Sequence, residues 1–283
     1  MMQDFPIPVV PFGPGSHDEA EQAACLPLPN DMETFSMPGY QYEADPQVLA
    51  AVCAILERLC DGMRQTSVHD CVRIELNTLA PQEVELLNQC LGQGEVSILV
   101  HEPQTLRIQE TVFAGVWREQ QVSGQGTLLR DSLLACAVPP AVQQSALHGA
   151  EAEVAAPALR PDIMNAPAIL NELLDQSRGY QAGQAAHVVN LSLLPISPGD
   201  QAYLIEALGA GPVTMLSRGY GNCRITATRL ANVWWVQYFN SMDQLILSTV
   251  EVVDVPEAAL AAADDYADSM ERLTEWMAAM RDE

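Results

Sequence analysis

The residues best suited to contacting another molecule fall in one short segment, residues 218–224. It contains two arginines, two glycines, a tyrosine, an asparagine and a cysteine: Arg218, Gly219, Tyr220, Gly221, Asn222, Cys223 and Arg224. Guanidinium groups are forked hydrogen-bond donors, and a tyrosine ring is a common interface anchor. Glycines allow positive φ angles and close backbone approach. We interpret the segment either as a contact surface for a partner or ligand, or as an ordinary glycine-rich hairpin.

Cys223 is the residue of this segment with the most chemical potential. A neighbouring cation lowers a thiol pKa, which would make Cys223 beside Arg224 a better nucleophile or metal ligand. When the sequence is laid over itself at a spacing of 117 positions, however, Cys223 aligns with Leu106, and Arg224 with Arg107. Lone cysteines are often buried as small apolar residues. A reactive thiol and a buried thiol both remain open at this point.

Other candidates for chemistry are weaker. His187 precedes a predicted strand, where capping or packing is a better explanation than catalysis. Trp235 aligns with Arg118 and is therefore predicted to be exposed and to join the contact surface. The sequence has no GxSxG, HExxH or P-loop motif, and its seven cysteines include no CxxC pair. We predict no catalytic group, no metal site and no cofactor.

The charge balance excludes several classes of partner. Thirteen basic residues against 37 acidic ones give a formal net charge of -24, so DNA, RNA and anionic membranes would repel the chain. No apolar stretch reaches the roughly eighteen residues of a membrane helix, and the first residues lack the basic and apolar regions of a secretory signal. Scattered cysteines are typical of a reducing compartment. These features predict a cytoplasmic protein without membrane insertion.

The chain matches itself over a long stretch without gaps. Residues 73–94 align with residues 190–211, and roughly 19 of about 70 aligned pairs are identical, which is more than chance explains. We therefore predict two tandem copies of one unit, in residues 45–150 and 151–283, after a flexible tail rich in proline and glycine in residues 1–44. The tail either stays flexible or contains a motif that orders on a partner.

Each unit has the pattern of an α+β domain. A helix, a strand and a second helix precede three β-rich runs, which in the second unit are residues 213–217, 224–238 and 245–253. We predict a mixed sheet covered by helices on one face, and a long C-terminal helix opened by Pro256.

Local signals bound some of these elements. Asp45 and Pro46 predict a helix start and Gly62 its end, while Gly179 ends the matching helix. A Leu-Gly-x-Gly motif follows the second helix of each unit and is typical of a helix C-cap. Trp117 and Trp234 occupy aligned positions and should be core residues.

The second unit resembles the HupH/HyaF (HoxQ-like) hydrogenase expression and formation proteins. The resemblance rests on NLSLLP at 190–195, LGAG at 208–211, LSRGYGNCRI at 216–225, NVWWVQYFN at 232–240 and EVVDVP at 251–256. The segments GPGS at 13–16 and LPNDMETFSMP at 28–38 extend it to the tail. His17 departs from the pattern, which has glutamine at that position.

This resemblance implies a non-enzymatic assembly factor for uptake nickel-iron hydrogenases. Such a factor would bind the precursor of the iron-sulfur small subunit in the cytoplasm, beside a thioredoxin-like maturation companion, before export. Two other hypotheses stay open on the residues alone. One is a redox or iron-sulfur transfer protein that uses Cys223, and the other is a scaffold that joins several maturation factors through its two halves.

Overall fold

We describe the protein from a computed structural model that covers residues 45–218 and 222–282. The predicted tail at 1–44 lies outside these ranges. The helices are α1 (Pro46–Gln65), α2 (Pro81–Leu91), α3 (Pro140–Leu147), α4 (Ala166–Gly179), α5 (Pro198–Leu208) and α6 (Ala263–Asp282). The strands are β1 (Val72–Glu75), β2 (Val96–Val100), β3 (Thr105–Glu110), β4 (Val116–Val122), β5 (Leu128–Ala135), β6 (His187–Asn190), β7 (Val213–Ser217), β8 (Asn222–Ala227), β9 (Val233–Phe239) and β10 (Leu245–Val252). This content confirms the α+β class.

All ten strands form one sheet in the order β1-β5-β4-β3-β2-β7-β8-β9-β10-β6. Each neighbouring pair in this part of the chain is antiparallel, so the predicted mixed sheet is wrong. The reason is that short hairpins join the consecutive strands from β2 to β5 and from β7 to β10, and a hairpin reverses the strand direction. The two halves meet at β2 and β7, where Val96 lies opposite Ser217 and Val100 opposite Val213.

The order of elements is the same in residues 46–135 and 166–252, with helix, strand and helix followed by four strands. The sequence predicted three strands there, because residues 224–238 contain no glycine or proline to break the run. The break falls at residues 228–232, where Asn232 has a φ of 59°. Asparagine tolerates this left-handed conformation better than most residues, so it turns the chain without a glycine.

The core has three parts. On one face of the sheet, Val116 packs with residues of α1, α2 and α6, and Val233 packs with residues of α4 and α5. Side chains alternate along a strand, so Trp117 and Trp234 point to the opposite face. There they pack with residues of α3 and are at most 1% exposed, which confirms their prediction as core residues.

Helix α6 belongs in space to the first half of the sheet. Its buried residues Leu273, Met277 and Met280 join the cluster formed by α1 and α2. The prediction that Pro256 opens this helix is wrong, because Pro256 precedes a short 3-10 turn at Glu257–Ala259. The predicted boundary between units at residue 150 therefore does not separate two independent cores.

Some of the predicted helix ends are confirmed and one is wrong. Asp45 caps α1 by accepting a 2.8 Å hydrogen bond from the Gln47 amide, whereas Gly62 lies inside the helix. A Cβ at Gly62 would meet the Val72 side chain at 2.6 Å, so this glycine allows α1 to approach β1. The Leu-Gly-x-Gly motifs are C-caps as predicted, with φ values of 56° at Gly92 and 58° at Gly209.

Within residues 45–218 and 222–282, no helix is long and apolar enough to cross a bilayer. These residues also contain no cluster of three or more His, Cys, Asp or Glu side chains arranged to hold a metal ion.

Candidate functional site

The turn between β7 and β8 carries the predicted contact segment, and part of it lies within the described residues. Arg218 is exposed, and its amide donates a 3.1 Å hydrogen bond to the Glu95 carbonyl. Gly219, Tyr220 and Gly221 lie outside the described residues. At the far side of the turn, Asn222 donates a 3.1 Å hydrogen bond through Nδ2 to Asp243. This bond places the β7–β8 turn beside the turn that joins β9 to β10.

The β9–β10 turn is ordered by one asparagine. The Asn240 Oδ1 accepts hydrogen bonds of 2.9 Å from the amides of Met242 and Gln244. Asp243 takes a φ of 57°, and its amide donates to the Asn240 carbonyl at 3.0 Å. The turn thereby holds the Met242 side chain outward, with 72% of its surface exposed.

Beside β10, the chain leaves β6 through a 3-10 turn at Leu191–Leu193. Ser192 fixes this turn to β10, because its Oγ accepts a 2.8 Å hydrogen bond from the Ser248 amide. The two leucines that follow are exposed, Leu193 by 81% and Leu194 by 41%. Ile246 lies at a register irregularity of β10 and is 62% exposed.

These residues share one end of the sheet, which we call the apolar end and define as Leu193, Leu194, Met242 and Ile246. The chain leaves β7, β9 and β6 there and enters β8 and β10. Neighbouring strands lie about 4.8 Å apart, so the distance from β7 to β6 is roughly 20 Å. Arg218 and Asn222 adjoin the apolar end on one side.

The corresponding end of the first half lies at the opposite end of the sheet, because β2 and β7 are antiparallel. Counting back 117 positions from the apolar end gives Leu76, Asn77, Gln125 and Leu129. Leu76 is only 2% exposed, whereas Leu129 is 52% exposed, next to the equally exposed Leu128. The aligned positions therefore expose fewer apolar side chains than the apolar end does.

A shift in strand register explains why Leu193 is exposed and Leu76 is buried. In the first half Val72 lies opposite Ala135, which would place Val189 opposite Val252 if the halves were identical. Val189 instead lies opposite Val250. The outer strand β6 has therefore moved two residues along β10, and the 3-10 turn replaces its continuation. Sequence alignment without gaps could not detect this shift, although the Leu193–Leu194 pair before Pro195 marks an apolar segment.

Cys223 is a buried thiol. It is 4% exposed within the cluster of Trp117 and Trp234. Burial raises its pKa to about 11, although a hydrogen bond with the Tyr238 hydroxyl acts in the opposite direction. The expectation that Arg224 would lower this pKa is wrong, because the two side chains alternate to opposite faces of β8. The Arg224 guanidinium instead lies 5.2 Å from the centre of the Phe239 ring.

Trp235 is buried, so the prediction that it is exposed is wrong. It is 3% exposed beneath α4 and α5, and its Nε1 donates a 2.9 Å hydrogen bond to Ser248 Oγ. The alignment with Arg118 was misleading because Arg118 is itself buried, in a bidentate ion pair with Asp131. Asp131 and Ser248 are also 117 positions apart, so an ionic pair in one half corresponds to a neutral pair in the other.

His187 begins the edge strand β6, away from the apolar end. Its Nε2 lies 2.8 Å from Glu172 Oε1, and its side chain is 34% exposed. This contact ties β6 to α4. The side chain is therefore a surface partner of Glu172, and the predicted capping or packing role is not what the structure shows.

Comparison with known proteins places the chain in a family. The model of the C-terminal conserved region of the HupH hydrogenase expression protein matches residues 46–155 and again residues 163–280. The hydrogenase expression/formation protein HupQ of Azotobacter chroococcum mcd 1 is 44% identical over 93% of this chain and 94% of its own. HoxQ of Cupriavidus necator, described in the same words, is 43% identical over 97% of each chain.

More distant relatives match as well. The hydrogenase-1 operon protein HyaF of Escherichia coli K12 is 30% identical over 94% of this chain and 95% of its own. The solved structure of the hydrogenase expression protein HupH from Thiobacillus denitrificans matches 40% of this chain and 95% of that one, at 29% identity and a TM-score of 0.38. The family model covers well over half of the residues and the relatives match nearly end to end, so the chain belongs to the HupH family of hydrogenase expression proteins.

Proposed function

We propose that the protein is an assembly chaperone for an uptake nickel-iron hydrogenase, and that it binds the immature iron-sulfur small subunit before export. Membership in a family of hydrogenase expression and formation proteins supports a role in hydrogenase maturation. The choice of the small subunit precursor as client follows from the resemblance of residues 190–256 to that family. A thioredoxin-like maturation companion is the second partner in this proposal, and both interactions take place in the cytoplasm.

The apolar end is the observation that carries the proposal of a binding function. Isolated exposed apolar residues are common on protein surfaces, but a group of them beside polar donors is typical of an interface. Leu193, Leu194, Met242 and Ile246 are all exposed at one end of the sheet, and the exposed Arg218 lies at the same end. An immature subunit exposes apolar surface that it later buries against other subunits. In this proposal the apolar end binds that surface and shields it from water until assembly.

The buried state of Cys223 disfavours the redox or iron-sulfur transfer hypothesis in the form that depends on this residue. A thiol with a pKa near 11 is protonated at neutral pH and is therefore a poor nucleophile. Iron-sulfur clusters are usually held by about four thiolates. Residues 45–218 and 222–282 contain no group of ligands suited to a metal ion.

We also infer that the two halves are copies of one unit, and this inference provides matched controls. It is supported by the repeated order of elements, the equivalent positions of Gly92 and Gly209, and the double match to one family region. A residue at the apolar end can therefore be compared with the aligned residue at the opposite end of the sheet.

Replacing Ile246 with glutamate is expected to weaken binding of the small-subunit precursor at least about tenfold, because it places a charge in the apolar contact. Leu129→Glu is the matched control, since Leu129 is 52% exposed and Ile246 62%. Both variants should keep the wild-type unfolding midpoint, because neither side chain is buried. Co-purification of the precursor with each tagged variant measures the difference.

The same assay tests the rim of the site. Replacing Arg218 and Tyr220 together with alanine should reduce co-purification, whereas His101→Ala, at the position aligned with Arg218, should not. Retained binding by both Ile246→Glu and the double variant would contradict this location. Loss of binding by Leu129→Glu as well would favour the scaffold hypothesis, in which both halves bind partners.

A further inference from the structure

Two cysteines outside the predicted site lie side by side at the edge of the sheet. Cys71 immediately precedes β1, and Cys136 immediately follows β5. The register that pairs Val72 with Ala135 makes the two cysteines the next cross-strand pair. Their Sγ atoms are 3.2 Å apart, although the residues are 65 positions apart in sequence. The wide spacing explains why the sequence showed seven scattered cysteines and no pair.

The two thiols differ in access and in ionisation. Cys136 is 2% exposed and held by its backbone, whose amide donates to the Gly115 carbonyl at 2.9 Å. Its carbonyl accepts a 3.0 Å hydrogen bond from Trp117 Nε1. Cys71 is partly exposed. The hydrogen bond with Cys136 lowers the pKa of Cys71, burial partly opposes this effect, and the nearby Arg73 adds to it. The same hydrogen bond and burial raise the pKa of Cys136.

We propose that Cys71 and Cys136 form a dithiol site that reacts with disulfide substrates, with Cys71 as the attacking residue and Cys136 as the resolving residue. The Cys71 thiolate attacks one sulfur of the substrate disulfide, forms a mixed disulfide and releases the first substrate thiolate. Cys136 then loses its proton to solvent and attacks the Cys71 Sγ, which breaks the mixed disulfide and releases the second thiolate. The protein loses two electrons and the substrate gains them, so no further oxidant is required.

The backbone geometry permits the internal disulfide. Opposed residues of an antiparallel pair have Cα atoms about 4.5 to 5.5 Å apart, within the range of about 4.4 to 6.8 Å that disulfides need. The sulfurs must approach by roughly 1 Å to reach the bonded distance of about 2.05 Å. Among the described residues, β1 pairs with β5 alone, so it can move by this amount without breaking a second ladder of that part of the sheet.

The second half lacks this site. The residues 117 positions later are Val188 and Val253, and the shifted register of β6 places Val188 opposite Glu251 instead. Four other described cysteines, Cys53, Cys60, Cys90 and Cys223, are each at most 4% exposed within the apolar clusters. Cys71 and Cys136 are therefore distinguished from these four by their contact with each other, and Cys71 is also distinguished by its partial exposure.

The test uses the full reduced chain and oxidised glutathione as the disulfide. After incubation, free thiols are alkylated and peptides are mapped by mass spectrometry without reduction. We expect a peptide linked through Cys71 and Cys136 and two molecules of glutathione released per chain. In Cys136→Ser the reaction should stop at a stable glutathione adduct on Cys71. One glutathione per chain is then released, and the yield of the second should be at least tenfold lower than in the wild type. Cys223→Ser should behave like wild type.

Other outcomes would overturn the proposal. One is that both Cys71 and Cys136 of the wild-type chain are still alkylated after full exposure to glutathione disulfide. Another is a glutathione adduct that persists on Cys71 of the wild-type chain. A third is a disulfide from Cys71 to Cys25 or to another cysteine. The wild-type result does not depend on whether any variant folds. The experiment also does not involve the small subunit. A negative result would therefore not contradict the proposed chaperone function, and failure of the chaperone function would not contradict the dithiol site.

Discussion

Replacing Asp200 with alanine is expected to lower the free energy of unfolding by about 3 to 5 kcal/mol, because it leaves several buried donors without partners. Asp200 is fully buried at the start of α5. Its Oδ1 accepts hydrogen bonds of 2.7, 2.9 and 2.9 Å from the amides of Met164, Asn165 and Ala166, at the N-terminus of α4. Its Oδ2 accepts from the amide and hydroxyl of Ser197. One carboxylate thus joins two helix N-termini.

The aligned residue Glu83 provides the matched control for Asp200. Glu83 caps α2 through one 2.7 Å hydrogen bond from the Ala80 amide, and within the described residues this carboxylate bonds to no second helix. Glu83→Ala should therefore cost only about 1 kcal/mol. Urea denaturation of both variants measures the comparison. An equal loss in the two variants would show that the link between α4 and α5 contributes nothing beyond an ordinary cap.

The pH dependence of stability offers a second readout for Asp200. Burial alone would raise its pKa, but the hydrogen bonds from Ala166, Ser197 and Met164 outweigh burial and lower the pKa to about 2. A carboxyl group with a lowered pKa in the folded state stabilises the fold above its unfolded pKa, near 3.8. This stabilisation is lost as the pH falls from about 4 towards 2. Asp200→Asn should remove that part of the acid sensitivity.

Replacing Asp131 with alanine is expected to cost about 3 to 5 kcal/mol, because it leaves the buried Arg118 guanidinium without its counter-ion. The two side chains are 10% and 6% exposed and form a bidentate pair. Asn88 of α2 accepts a further 2.5 Å hydrogen bond from the guanidinium, so the pair connects the sheet to the helix layer.

The second half supplies both the control and the rescue for this prediction. Ser248→Ala removes only a neutral hydrogen bond to Trp235 and should cost about 1 kcal/mol. The double variant Arg118→Leu, Asp131→Ser removes both charges and should be more stable than Asp131→Ala alone, since a neutral pair occupies the aligned positions. Thermal and urea unfolding of the single variants Arg118→Leu and Asp131→Ser, together with the double variant and the wild type, complete a double-mutant cycle. Additive losses would contradict the assigned coupling between the two charges.

Part of the local structure was accessible from the sequence, although the helix end predicted at Gly62 and the helix start predicted at Pro256 were wrong. The cap at Asp45 and the left-handed glycines at Gly92 and Gly209 depend on residues within one helical turn, and each was predicted. The core positions of Trp117 and Trp234 followed from their recurrence. The hairpin at Asn232 was missed because asparagine adopts its positive φ without a glycine signal.

Long-range arrangements were not accessible. Whether β2 pairs with β7 depends on contacts between distant segments, so the sequence did not distinguish one sheet from two. The shift of β6 by two residues moved Leu193 to the surface, although its aligned partner Leu76 is buried. The contact between Cys71 and Cys136 depends on the pairing of β1 with β5, which no spacing in the sequence indicates.

The most direct test of the central claim is to measure binding of the purified chain to the small-subunit precursor and to the assembled, cluster-containing hydrogenase. We predict a stable complex with the precursor, at least about tenfold weaker binding to the assembled enzyme, and loss of the precursor complex in Ile246→Glu but not in Leu129→Glu. Equal binding to both forms, or no binding to the precursor by the wild-type chain, would contradict the assignment of the apolar end as a chaperone surface.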